Sequence, residues 1–240
     1  LRFIQHTYLQ KEKQMISNKK KVNKYEWLIP TALILLSLVP ALAGTARLVE
    51  LSSDAEITSA NARFFDSPLP VSVHIVGATL YSILGAFQFA PTLRRRKTHW
   101  HRFIGKWILV PSGIAVALSG LWMNQFYNLP EVDGEFLYIQ RIIFGSAMFL
   151  FIVLGYFSVR RKDYKNHGNW MMRAYAIGLG AGTQVFTHLP WILFFGEPNE
   201  FTRALLMLAG WVINLAVVEW IIYKQRIRPT SKSFVYSQES

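Results

Sequence analysis

Read as a string of apolar and polar positions, the chain divides into six apolar stretches separated by short polar intervals. They run Trp27–Val49, Val71–Pro91, Phe103–Met123, Phe136–Val159, Trp170–Phe195 and Phe201–Tyr223. Each supplies about the twenty residues a helix needs to cross a hydrocarbon core. The intervals alternate in charge. Of the 26 Lys and Arg, all but Arg47, Arg63, Arg141 and Arg203 lie in or beside the N-terminal segment, the second and fourth intervals and the C-terminal tail. Acids dominate the other three intervals: Glu50, Asp54, Glu56 and Asp66, then Glu131, Asp133 and Glu135, then Glu197 and Glu200. Basic residues in short loops stay on the cytoplasmic side. The pattern therefore predicts an all-α polytopic bundle of six transmembrane helices, with the N-terminus and C-terminus cytoplasmic. It divides the chain into a basic segment over 1–26, a transmembrane domain over 27–223 and a tail over 224–240.

Composition changes this picture little. A net charge of +12 would suggest nucleic acid in a soluble protein, but here the charge is gathered on one side of a membrane, and nucleic acid is not expected. The expected partners are the lipid bilayer itself and anionic lipid headgroups at the cytoplasmic face, worth about 1 kcal/mol per basic residue near the surface. With no cysteine, disulfides, thiolate metal sites and cysteine-held iron–sulfur clusters are excluded. Trp27, Trp100, Trp107, Trp170 and Trp220 fall near the inner boundary and Trp122 and Trp191 near the outer one, where amphipathic rings are favoured; Trp211 is in mid-span.

Lys11 and Glu12 would be encoded by a purine-rich run shortly before Met15, where a bacterial ribosome-binding site would sit. Translation is therefore expected to start at Met15, in a bacterial plasma membrane protein. From there, Lys19, Lys20, Lys21 and Lys24, an apolar core and Ala41-Leu42-Ala43 resemble a secretory signal. The apolar stretch continues through Leu48 and Val49, which favours a retained helix. The second and fourth intervals each carry at least three basic residues followed by a histidine, the pattern of a duplicated hairpin; basic loops are also what any cytoplasmic connection shows.

Polar residues inside spans are expensive and default to functional candidates. In the second span His74, Gly77, Ala78, Tyr81, Gly85 and Gln88 share one helix face. In the fifth, Gly180, Gln184, Thr187 and His188 form a comparable stripe, and Ala174, Gly178 and Gly182 permit close backbone approach. Helix rise places His74 roughly 5 Å and His188 roughly 10 Å below the outer boundary. His99, His101 and His167 lie at the inner ends.

Two imidazoles from different helices at one depth suit a six-coordinate haem iron. His74 with His188 and His101 with His167 would hold two haems b across the bilayer, with Arg102, Arg173 and Arg141 on the propionates. A quinone headgroup held by His188, Gln184 and Thr187 fits the same residues. The bland reading is that each buried histidine bonds a neighbouring helix and each inner one lies in a solvated loop. Zinc would need three or four convergent ligands, and acids are nearly absent from the spans. Glu219 is expected to be paired with a base or exposed, and Asn214 to act as interhelical glue. The glycine-rich run Gly178-Leu179-Gly180-Ala181-Gly182 follows no strand, so it is not a nucleotide loop.

His74-Ile75-Val76-Gly77, Gly85-Ala86-Phe87-Gln88-Phe89, His101-Arg102-Phe103-Ile104-Gly105 and His167-Gly168-Asn169-Trp170-Met171-Met172-Arg173-Ala174-Tyr175 resemble the bacterial domain-of-unknown-function family numbered 2306, over about Pro40 to Phe195. The resemblance implies a multi-pass bundle with a retained first span, and no activity. Three functions are carried forward. One is a redox carrier holding haem or quinone through His74, His188, His101 and His167. Another is a small-solute permease or channel lined by Gln184, Thr187, His188 and Asn214. The third is a non-catalytic assembly protein whose basic loops meet lipid or a membrane protein partner.

Overall fold

The computed structural model describes residues 27–90 and 97–227. The expectations about Met15, the signal-like lysines, Arg94, Arg95 and Arg96, and most of the C-terminal tail fall outside the described residues. The described residues form eight helices and no strand: α1 (Leu28–Leu51), α2 (Ala62–Asp66), α3 (Pro68–Gln88), α4 (Thr98–Phe126), α5 (Gly134–Arg160), α6 (Tyr164–Gly178), α7 (Gly180–Phe195) and α8 (Glu200–Ile227). Five of these, α1, α3, α4, α5 and α8, are long and apolar enough to cross a membrane.

The fifth expected span corrects the sequence reading. It is not one helix over Trp170–Phe195 but two, α6 and α7, which meet at Leu179, and neither alone has spanning length. The glycines explain the break, since each costs about 1 kcal/mol against alanine in a helix interior. At the junction the Leu179 N–H still reaches the Tyr175 carbonyl at 2.9 Å. The Ala176 carbonyl is taken by the Asn214 amide of α8 at 3.0 Å, and Asn214 Oδ1 accepts from the Thr183 hydroxyl at 2.7 Å. Asn214 thus splices the two half-helices and leaves neither backbone nor side chain bare in a medium without water.

Packing requires the same glycines. A Cβ on Gly180 would run into the Trp211 ring nitrogen, and one on Gly182 into the Leu36 carbonyl oxygen. Pro40 lies four residues after Leu36 and has no N–H to give that oxygen. The freed carbonyl is where the Gly182 backbone approaches.

Helices α1, α3, α4, α5, α8 and α7 pack each on the next, and α7 returns to α1, closing a ring. Helix α6 packs on α3, α4, α5 and α8 and so occupies the ring's interior. The break at Leu179 carries the chain from the centre of the bundle to its rim, between α8 and α1. Tyr81, Val116, Met148, Ile152, Ala174, Tyr175 and Leu179 form the core around this point. Outward faces are apolar: Leu42, Val49, Phe186, Leu193, Phe194 and Val217 are all exposed. Such a surface is stable only where lipid replaces water. In α4 a π-helical turn, Gly105–Leu109, immediately precedes Pro111; widening the helix there relieves the clash of the proline ring with the preceding turn.

Candidate functional site

Helix α6 carries two of the candidate residues, His167 and Arg173, and its polar and aromatic side chains tie it to different neighbours. Its start is capped by Asp163, whose carboxylate accepts from the Asn166 N–H at 3.1 Å and the Asn166 amide at 2.7 Å. His167 Nδ1 sits 2.8 Å from the Gly155 carbonyl of α5. Trp170 stacks on Phe151 of α5, ring centres 5.5 Å apart, and carries the Arg173 guanidinium 4.8 Å above it. Arg173 forms a two-pronged pair with Glu219 of α8, one arm 2.8 Å long. Tyr175 lies over Gly85, where no Cβ would fit, and donates to the Ser82 carbonyl at 2.6 Å. These residues lock the central helix to α5, α8 and α3. Glu219 is therefore the partner of Arg173.

The packing does not set the two histidines of the expected outer haem pair on neighbouring helices. His74 is on α3, which packs against α1, α4 and α6; His188 is on α7, which packs against α8, α1 and α6. His74 Nδ1 lies 3.2 Å from the Val116 carbonyl and 3.1 Å from Ser119 Oγ, with its ring against Gly120 of α4. His101 lies in the first turns of α4, and His167, on α6, is bonded to the Gly155 carbonyl of α5. Arg141 and Arg173, two of the three propionate candidates, are committed to Asp133 (2.9 Å) and Glu219; Arg102 is exposed. Among the described residues no three His, Cys, Asp or Glu converge as a metal site.

The α7–α8 seam differs. Gln184 donates its amide to the Met207 carbonyl at 3.0 Å, and Thr187 Oγ1 donates to the Leu206 carbonyl at 2.9 Å. Gly210 admits the Gln184 side chain, since a Cβ there would meet Gln184 Cγ. His188 Nδ1 lies 2.8 Å from the Gln184 carbonyl. A carbonyl only accepts, so Nδ1 carries the proton and Nε2 of the neutral ring is an acceptor. That Nε2 is buried and has no partner among the described residues. With its amide N–H turned to Met207, Gln184 presents its own Oε1 as a second acceptor, which no donor among the described residues reaches. One buried acceptor without a partner, His188 Nε2, therefore stands one helical turn from the accessible Gln184 Oε1 on α7. Pro190, two residues on, frees the Phe186 carbonyl of its usual donor.

The sequence reading passed over Asp133, a buried carboxylate that holds Arg141 at 2.9 Å and Arg203 at 2.8 Å. Its signal was present: Arg141 and Arg203 are two of the four bases that break the charge alternation.

A family model described as a predicted membrane protein (DUF2306) matches residues 71–222. Nothing among curated proteins or solved structures matches the chain.

Proposed function

The chain belongs to the DUF2306 family of predicted membrane proteins, and from that premise we propose that it is a membrane redox-carrier component that binds the hydroquinone headgroup of a lipid-soluble quinone at His188, Gln184 and Thr187. The observation that carries this reading is the partnerless, buried Nε2 of His188. A quinone offers only carbonyl acceptors, whereas its reduced form offers hydroxyl donors, and this pair of acceptors suits the reduced form. The unmet buried Nε2 costs about 1–3 kcal/mol, which a hydroxyl donor returns. Phe186, Leu189 and Leu193, exposed on the lipid side of α7, give an isoprenoid tail a route to the site from the bilayer. The same reading has α6 and α7 together making a sixth crossing, with both termini on the side of the basic loops. The permease alternative would need Asn214 along an open path, and Asn214 is spent on the α6–α7 splice.

The test is equilibrium binding of a short-chain hydroquinone and its quinone to the purified protein in detergent under anaerobic conditions. The reduced form is expected to bind more tightly, and His188→Ala to lose about tenfold, the worth of one buried hydrogen bond. Equal binding of both redox forms, or no effect of His188→Ala, ends the proposal. A Soret band lost in His74→Ala or His188→Ala would replace quinol with haem.

A further inference from the structure

Every base on the acidic side of the bundle ends up in one place. Arg47, near the end of α1, and Arg63, in α2, both set their guanidiniums 4.5 Å from the centre of the Phe64 ring. Arg47 also pairs with Glu50. Arg141, two turns into α5, and Arg203, one turn into α8, share the buried carboxylate of Asp133. Arg63 lies within electrostatic reach of Arg47, Arg141 and Asp133 and joins the two halves. Four guanidiniums from four helices thus meet around two paired carboxylates; Glu200 adds a third acid over Gly134. Of these four, Arg63 is the one without a carboxylate within ion-pairing distance among the described residues.

The loop that carries Arg63 is built to hold it. Asn61, itself buried, accepts from the Thr58 N–H at 2.7 Å and donates to Glu50 at 2.7 Å and to the Glu56 carbonyl at 3.0 Å. Phe64 meets Tyr127 edge-on at 5.7 Å, and the Tyr127 hydroxyl donates to the Ser67 carbonyl at 2.6 Å. Like charges gathered this closely repel, and bases on this face run against the charge rule that orients membrane helices. A guanidinium held ready and unpaired beside two others is an oxyanion receptor, because its planar fork matches phosphate oxygens.

We propose that Arg63, flanked by Arg47 and Arg141, binds a singly charged phosphate group at this membrane face, from either a phospholipid headgroup or a free phosphate compound. The site is separate from the His188 seam and stands or falls without it. The experiment compares wild type, Arg63→Ala and Arg63→Lys as full-length purified protein. One arm titrates inorganic phosphate into protein in a non-ionic, phosphate-free detergent. The other measures phosphatidylglycerol retained from mixed phosphatidylglycerol–phosphatidylcholine nanodiscs. Arg63→Ala is expected to weaken binding at least tenfold in one arm and Arg63→Lys less, with the unliganded melting temperature unchanged, since no ion pair is removed. Loss in the phosphate arm identifies a free anion, and loss in the nanodisc arm alone identifies the lipid. If Arg63→Ala binds as wild type does in both arms, the proposal is overturned; should that variant fail to fold, an Arg63→Lys indistinguishable from wild type overturns it equally.

Discussion

The junction at Leu179 and the outer part of α7 lie about two and a half turns apart in the same apolar stretch, yet they treat polar groups in opposite ways. At the junction displaced groups meet partners: the Ala176 carbonyl has Asn214 and Asn214 has Thr183, while the Gly182 backbone packs against the Leu36 carbonyl. Further out, His188 keeps a buried nitrogen with no donor among the described residues. The first arrangement is what stability demands in lipid, where a bare polar group costs several kcal/mol. The second works against stability, and a ligand is the simplest thing to account for it. Polar residues inside a membrane thus divide by whether they are satisfied rather than by whether they are polar.

The largest effect expected from breaking that division lies at Asp133. Its side chain is 5% exposed and serves two arginines, so Asp133→Ala strands both, at about 3–5 kcal/mol. Unfolding in mixed detergent should show this as a large shift of the midpoint. A shift no larger than that of a typical surface substitution would mean that the arginines find water instead.

Next comes the junction itself. Gly182→Val presses a branched side chain on the Leu36 carbonyl and should cost about 1–3 kcal/mol by overpacking. Asn214→Leu removes two hydrogen bonds but leaves the helices packed. Hydrogen bonds between membrane helices average less than their counterparts in theory, so about 1–2 kcal/mol is expected. If Asn214→Leu proves neutral, the splice is not what holds α6 to α7. His188→Ala sharpens the contrast from the other side: it should leave the unfolding midpoint within about 0.5 kcal/mol of wild type while reducing hydroquinone binding.

Much of this was legible in the chain. Hydrophobic length and charge alternation gave the helices and their boundaries to within a few residues, and five of the six stretches are single spanning helices. The small-residue face of the second span does meet protein, through Gly77 against Ser112 and Val116 and Gly85 against Tyr175. What could not be read was azimuth. Depth along a helix follows from counting residues, but which neighbour a residue faces depends on ring order, and that order separates His74 from His188. The break at Leu179 was equally hidden, because closely spaced glycines describe a tight helix contact and an interruption alike; only Trp211 and Leu36 on the neighbouring helices decide between them. The arginine cluster was visible as four exceptions to a rule, but their meeting point requires four helices to be placed.

The smallest effect concerns the other end of α6, in water. Asp163 caps the helix in the fourth interval, beyond the spanning segments, with its carboxylate accepting from the Asn166 side chain and backbone. Those two bonds, the side-chain amide first, favour the charged carboxylate and hold its pKa below the ordinary aspartate value. A carboxyl depressed on folding contributes its stabilisation fully above the unfolded pKa, about 3.9, and loses it as pH falls through the lower folded value. Hydrogen exchange at His167 and its neighbours, corrected for the intrinsic rate, should therefore show steady protection from neutral pH down to about pH 4 and a decline below it. Asp163→Ala should fray this first turn at neutral pH and match wild type once the carboxyl is protonated. The junction at Leu179 should exchange alike in both proteins across that range, because its splice contains no group that titrates there. A variant that loosened Leu179 along with His167 would mean that α6 opens as one unit from its capped end, and that the junction's bonds are held by the cap and not by Asn214.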